Sequence, residues 1–127
     1  IWDGIGRILD SPAPGPAQAY QGFYEAHMAD SKQDYLFRNA PAVLFIASEA
    51  NIDAGLAAQN MEYIAEANGL GVLYSGFFTM AANASHKIRK AIKVPKGKRA
   101  AMTLVLGYPD IKFLRSPQRK KAEATYM

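Results

Sequence analysis

The chain of 127 residues contains no cysteine. Disulfide bonds, zinc–thiolate sites and cysteine-ligated iron–sulfur clusters formed by this chain are therefore excluded. Its two histidines, His27 and His86, form no recognisable metal motif, so we expect no metal site. No apolar run approaches the roughly 20 residues that a membrane-spanning helix needs, so we expect no contact with a membrane. A chain without cysteine also fits a cytoplasmic protein.

Carboxylates are scarce in the last third of the chain. Residues 86–127 hold twelve Lys and Arg against two carboxylates, whereas residues 1–85 hold three against nine. This asymmetry predicts an anionic partner, such as a phosphate-bearing cofactor, an acidic protein or a nucleic acid. Recognised nucleic-acid motifs are missing and the aromatic residues cluster away from the basic segment, so the sequence argues against nucleic acid.

Half of the residues are apolar or aromatic, which is typical of a globular protein, and the length suits one domain. Hydrophobic spacing and turn residues predict alternating helices and strands. Asn51 or Asp53 would cap the central helix, on which Ile52, Leu56, Tyr63, Ile64 and Ala67 follow the spacing of an apolar face. Its other side is thin, at Gly55, Ala57 and Ala58, and another helix could approach it closely. The predicted elements are helices over 1–9, 17–28, 51–67 and 77–92, and strands over 43–47, 70–74 and 100–106.

Further expectations concern burial. The continuous apolar runs at 43–47 and 70–74 are typical of strands that are buried on both faces. In the helix over 77–92, spacing places Met80, Ala84, Ile88 and Ala91 or Ile92 inward. Gly69 is expected to end the central helix in the left-handed conformation. Phe77 and Phe78, which follow Gly76, are expected to fill the core.

Three segments together resemble the flavin-dependent nitroreductase family. They are residues 38–47, with Ala40-Pro41 entering a strand, residues 53–76, with a long helix followed by Gly69-Leu70-Gly71, and the ending from Leu106-Gly107-Tyr108-Pro109 into a basic tail. The spacing of Lys112, Arg115, Pro117 and Arg119 after Tyr108-Pro109 is most similar to the branch that carries an N-terminal ferredoxin domain. The resemblance covers roughly residues 35–120. It implies an α+β fold, with a central, mostly antiparallel sheet wrapped by helices. It also implies that residues 1–127 are the C-terminal part of a single nitroreductase-like domain, which is incomplete here on its N-terminal side.

The resemblance also implies an activity. Family members are homodimers with FMN at the interface, and FMN passes electrons from NAD(P)H or a ferredoxin-type donor to a nitro, quinone or related acceptor. Carried over residue by residue, the strand end that lies along the flavin ring falls on Leu73, Tyr74, Ser75 and Gly76. The phosphate-binding cations fall on Arg115 and Lys112, with Arg119 as a further candidate. No side chain is assigned a catalytic role.

Two other functions stay open at this stage. A non-catalytic relative would keep the fold and bind a partner protein through the thin helix side at Gly55, Ala57 and Ala58. A basic nucleic-acid-binding domain would use the cations between Lys87 and Arg99 and would show a steep dependence on salt.

Overall fold

The computed structural model describes residues 1–10 and 17–111, together with the single positions Leu114 and Thr125. Its elements follow the predicted order, except that the last helix is divided in two. They are α1 (Trp2–Leu9), α2 (Ala17–Ala29), β1 (Ala42–Ser48), α3 (Asn51–Ala67), β2 (Gly71–Tyr74), α4 (Gly76–Ala84), α5 (His86–Ala91) and β3 (Arg99–Gly107).

The three strands form one antiparallel sheet in the order β1-β3-β2. The central strand β3 is the most buried of the three and is buried continuously from Thr103 to Leu106. Between Ile46 and Ala47 of β1 the register shifts, because Ile46 pairs with Met102 while Ala47 pairs with Ala100. The antiparallel pairing of the three strands confirms the predicted α+β fold with an antiparallel sheet.

Helices cover both faces of the sheet. Residues directly opposite each other on paired strands share a face, so Leu44, Leu104 and Tyr74 lie on one face and Phe45 and Thr103 on the other. The first face carries α3, since the Tyr74 hydroxyl bonds to a side chain of that helix. The second face carries α4, whose Phe78 ring lies 5.2 Å from that of Phe45.

The main core lies on the α4 side of the sheet. It joins α1, α2, α4 and α5 to the start of β3 and includes the fully buried Ile5, Phe78 and Ile88. Asn83 fixes α4 to β3 in the manner of a neighbouring strand: its amide nitrogen donates to the Ala100 carbonyl at 2.7 Å, and its amide oxygen accepts from the Ala100 N–H at 3.1 Å.

The prediction of one helix over 77–92 was wrong at Ser85. Ser85 is extended (φ −118°, ψ 115°), and its hydroxyl accepts from the Ile88 N–H to cap α5. Serine competes for backbone hydrogen bonds and therefore favours caps over helix interiors. The break also changes which residues face inward. Ile88 is buried as predicted and Ile92 is half-buried, but Ala81 and Ala82 are buried whereas Met80, Ala84 and Ala91, predicted inward, are exposed.

The orientation of α3 is the reverse of the expected one. Its small residues Ala54, Ala58 and Ala65 are buried against the sheet, while Ile52 and Leu56 are 78% and 63% exposed. Of the predicted thin side, Ala58 is buried, whereas Gly55 and Ala57 are only half-buried. The alanine side meets the sheet rather than another helix, because small side chains let a helix lie close to a pleated surface. The N-terminal cap is Ala50, without a side-chain bond, rather than Asn51 or Asp53.

The strands are also less buried than their apolar sequences indicated. Leu44 and Phe45 of β1 are 39% and 37% exposed, and Leu73 of β2 is 50% exposed. The expectation that β1 and β2 are buried on both faces is therefore wrong for this chain taken alone. The predicted end of the central helix is confirmed, since Gly69 follows Asn68 with φ +78°.

Among residues 1–10 and 17–111, no helix combines the length and apolar character needed to cross a membrane. The same residues contain no cluster of three or more His, Asp or Glu that could hold a metal ion.

Candidate functional site

The end of β2 and the start of α4 form the candidate site. The ladder between β2 and β3 continues one residue past Tyr74, where the Ser75 N–H donates to the Thr103 carbonyl at 2.9 Å. The chain then turns, and α4 begins at Gly76 with Ser75 as its N-cap. The predicted residues 73–76 therefore span the transition from strand to helix.

Ser75 serves the fold. It is buried, its hydroxyl accepts from the Phe78 N–H at 3.4 Å and it donates to the Leu36 carbonyl at 3.3 Å. Asp34 holds the segment that carries this carbonyl, because its Oδ1 accepts from the Leu36 and Phe37 N–H groups at 3.2 and 3.0 Å. The Ser75 side chain is therefore fully engaged in fixing the turn.

Gly76 presents the open part of the turn. It is exposed, and a Cβ atom placed there would meet nothing within 4 Å. As the first residue of α4, its N–H has no partner inside the helix, and no described residue accepts a hydrogen bond from it. Leu73 shares a sheet face with its partner Val105, which is the face that carries α4, and half of its side chain is accessible. An apolar surface and a backbone donor without an acceptor in the described part of the chain thus occur together here.

The Tyr74 side chain lies on the opposite face of the sheet. Its hydroxyl donates to Glu62 Oε2 on α3 at 2.8 Å, and Gln59 Nε2 donates to the same oxygen at 2.9 Å. Burial, followed by this bond to Glu62, raises the pKa of Tyr74 to about 12. Of the four predicted contacts, Leu73, Ser75 and Gly76 come together on the α4 side, and the Tyr74 ring does not join them.

The hydrogen bond from Tyr74 to Glu62 predicts a loss of stability at high pH. The folded-state pKa of Tyr74 lies above its ordinary value of 10.0. The neutral hydroxyl therefore contributes stability that is complete below about pH 10 and is lost as the pH rises through about 12. We expect Tyr74→Phe to make urea unfolding less dependent on pH in this window, with Tyr63→Phe on the outer side of α3 as the control. Equal pH slopes for wild type and Tyr74→Phe would contradict the assignment.

The predicted phosphate-binding residues Lys112, Arg115 and Arg119 lie outside the described residues. The cations of residues 86–99 are described, and three of them are engaged. Lys87 pairs with Asp3 at 2.7 Å, which lowers the pKa of Asp3. Arg89 donates to the Lys98 carbonyl at 2.7 Å, and Arg99 donates to Asn51 Oδ1.

A surface cavity of about 360 Å³ lies away from this site. It opens between α1 and α2 and is lined by charges of both signs, including Asp3, Arg7, Asp10 and Lys87. Mixed charge at an open surface selects no particular ligand, so this cavity gives no reason to move the candidate site.

Sequence reasoning missed two residues beneath the turn. Thr79 Oγ1 lies 3.0 Å from both the Ser75 carbonyl oxygen and Thr103 Oγ1. Thr103 is the one hydroxyl in the otherwise apolar run 101–106, and it is 2% exposed. A lone polar residue in a buried strand was the available signal, because such a group must find a hydrogen-bond partner.

The architecture is that of the nitroreductase-like class of α+β folds. The chain is similar in fold to an FMN-bound nitroreductase from Bacteroides fragilis, with a TM-score of 0.70 and 16% sequence identity, over 98% of this chain and 68% of that one. A comparison with curated proteins found no match.

Sequence comparison then gives the family. Residues 6–108 match the model of the nitroreductase family, which is most of the chain. The protein belongs to the nitroreductase family, and the resemblance drawn from its three segments is confirmed.

Proposed function

We propose that this protein is an FMN-dependent oxidoreductase of the nitroreductase type. It would pass electrons from NAD(P)H or a ferredoxin-type donor to a nitro, quinone or related acceptor, and it would work in the cytoplasm. When bound, FMN supplies the two-electron chemistry, while the protein supplies binding and orientation. Residues 1–127 would form the C-terminal part of a single nitroreductase domain.

The observation that carries this proposal is the N–H of Gly76, which has no acceptor among the described residues. Hydrogen-bond donors near the reactive ring nitrogen of a flavin tune its electronic state, so a flavin site needs a backbone donor that a flat ring can approach. Gly76 fits this need, because no described acceptor takes up its N–H and the space beside its Cα is open. The accessible Leu73 side chain would offer the ring an apolar contact.

The other end of FMN carries a phosphate. Arg115, with a planar guanidinium that can hold two phosphate oxygens, and Lys112, with a point charge, are the residues we propose for it. Both follow the exposed segment 108–111, which leaves β3 beside the first residue of β2, since Gly107 pairs with Gly71. Exchange of either cation for alanine should weaken FMN binding more at low salt than at high salt.

We also propose a homodimer that uses the outer side of α3. Ile52, Leu56 and Tyr63 recur at helical spacing opposite the buried alanines, and all three are more than 60% exposed. A stripe of large apolar side chains on a helix whose other side already meets the sheet is typical of a protein interface. The corresponding stripe of a second copy is self-complementary to it in a two-fold dimer.

Substitution of Gly76 tests the FMN site. Proline removes the N–H and suits the first position of a helix, so Gly76→Pro should fold. Ser75 is compatible with a following proline because its ψ of 85° is not helical. We expect Gly76→Pro to bind FMN roughly tenfold more weakly, in line with the loss of one hydrogen bond and the added ring.

Gly76→Ala is the matched control, since it keeps the N–H and its Cβ meets nothing within 4 Å. We expect its FMN affinity to stay within about twofold of wild type, because no hydrogen bond is lost. The measurement is a titration with FMN followed by flavin fluorescence and by the visible spectrum after desalting. A folded wild-type dimer that retains no FMN would refute the proposed function, and equal affinities of the two variants would refute the role of Gly76.

A further inference from the structure

A buried pair of hydroxyl groups lies directly beneath the candidate site. Thr103 stands in the middle of β3 and is 2% exposed, and Thr79 lies one turn into α4. Their Oγ1 atoms are 3.0 Å apart, and Thr79 Oγ1 is also 3.0 Å from the Ser75 carbonyl oxygen. The Thr79 N–H donates to the same carbonyl at 3.2 Å. Apolar packing alone does not require a hydroxyl group at either position.

The number of hydroxyl hydrogens fixes the direction of the hydrogen bonds that link Thr103, Thr79 and the Ser75 carbonyl. Each threonine hydroxyl has a single hydrogen, and the Ser75 carbonyl can only accept. If Thr79 donated to Thr103, its 3.0 Å contact with the Ser75 carbonyl would join two oxygens with no hydrogen between them. Both contacts become hydrogen bonds only when Thr103 donates to Thr79 and Thr79 donates to the Ser75 carbonyl.

These hydrogen bonds end at the peptide group between Ser75 and Gly76, which carries the Gly76 N–H. The Ser75 carbonyl and the Gly76 N–H belong to the same planar trans peptide, so they point in opposite directions. Two hydrogen bonds hold the carbonyl inward, and they therefore hold the N–H outward. Hydrogen bonds in a chain also polarise one another, which makes the Gly76 N–H a stronger donor than an isolated amide.

We propose that Thr79 and Thr103 are positioning residues that set the direction and donor strength of the Gly76 N–H, and through it the relative affinity for oxidised and reduced FMN. This inference rests on the proposed FMN site. The ring nitrogen that accepts such a bond in oxidised flavin carries a proton after two-electron reduction, so a stronger donor favours the oxidised form.

The test uses four variants of the full chain, Thr79→Val, Thr79→Ser, Thr103→Val and Thr103→Ser. Valine keeps the branched shape and removes the hydroxyl, while serine keeps the hydroxyl. In the flavin-free protein, the measurement is the amide nitrogen resonance of Gly76. We expect a shift to higher field in both valine variants, larger for Thr79→Val because it removes the bond to the carbonyl itself, and near-wild-type positions in the serine variants.

In the FMN-bound protein, the measurements are the dissociation constants of oxidised and reduced FMN and the midpoint potential. We expect Thr79→Val to weaken binding of the oxidised form about threefold to tenfold, with a smaller effect on the reduced form, because one hydrogen bond loses strength. The midpoint potential follows the ratio of the two dissociation constants, so it should rise by at most about 30 mV, the value for a tenfold change in the oxidised form alone. Thr79→Ser should restore both values.

The outcomes separate the inference from the proposed function. Failure of the wild-type protein to bind FMN refutes the proposed function, and it is seen before any variant is made. A Gly76 resonance that stays in place in both valine variants overturns the inference, whether or not FMN binds. If the Gly76 resonance shifts while the ratio of the dissociation constants of oxidised and reduced FMN stays unchanged, the proposed effect of the hydroxyls on FMN affinity is overturned. Loss of folding in Thr79→Val would show in circular dichroism, and Thr103→Val, measured against Thr103→Ser, then decides the question.

Discussion

Replacement of Phe78 by alanine is expected to lower the free energy of unfolding by about 3 to 5 kcal/mol. Phe78 is fully buried, with its ring centre 4.7 Å from that of Phe37 and 5.2 Å from that of Phe45. It therefore joins α4 to β1 and to the segment that leads into the sheet. Truncation removes the contacts of a whole ring and leaves a cavity that a helix fixed to β3 through Asn83 cannot readily close. Urea unfolding followed by circular dichroism measures the loss.

The neighbouring Phe77 provides a control of the same residue type. It is 44% exposed, and its ring meets Tyr20 and Phe23 edge to face at 6.1 and 5.5 Å. Its truncation removes less buried surface and leaves no closed cavity, so we expect a loss of about 1 kcal/mol. Equal losses at the two positions would mean that the ring cluster around Phe78 is not the centre of the core.

The contrast between these two rings shows what sequence reasoning could reach. Both were expected in the core, and only Phe78 lies there, because the helix that carries them begins at Gly76 and turns Phe77 outward. The position of the helix start depends on the Ser75 cap, and that cap depends on the Leu36 carbonyl, far away in the chain. Contacts of this kind have no local sequence signal.

The three strands, the long helix and its end at Gly69 were predictable because they depend on local patterns. The division at Ser85 was a local error, since an apolar spacing that continued past it outweighed the signal of a serine cap. At the candidate site, the glycine and the strand end could be found from the resemblance. The lone hydroxyl of Thr103 in an apolar strand was a signal, but its pairing with Thr79 could not be found, because the two residues meet only after α4 folds back over β3.

The face of α3 was misjudged for a different reason. Periodicity detects a stripe of apolar side chains but does not distinguish a core from an interface, since both remove the stripe from water. On α3 the sheet takes the alanine side, which leaves Ile52, Leu56, Tyr63 and Ile64 exposed in one chain. The apolar stripe of α3 therefore indicates contact with the proposed second copy rather than the side of the helix that packs on the sheet.

Leu56→Lys is expected to convert the proposed dimer into a monomer. Leu56 lies near the middle of the exposed stripe, opposite the buried Ala54 and Ala58, and is 63% exposed in the single chain. In a two-fold dimer each substitution occurs twice across one interface, so two ammonium groups would lose their water without a partner charge. We expect the dimer dissociation constant to rise at least about a hundredfold, because an unpaired buried charge costs several kcal/mol. Sedimentation equilibrium over a range of protein concentrations measures it.

Ala91→Lys adds the same charge to an exposed position of α5, on the other side of the sheet, and should leave the dimer unchanged. Both variants should unfold at nearly the same urea concentration when measured as monomers, because neither residue contributes to the core of the single chain. A wild-type protein that is monomeric at all concentrations would refute the dimer. A Leu56→Lys protein with the mass of the wild-type dimer would move the interface away from α3.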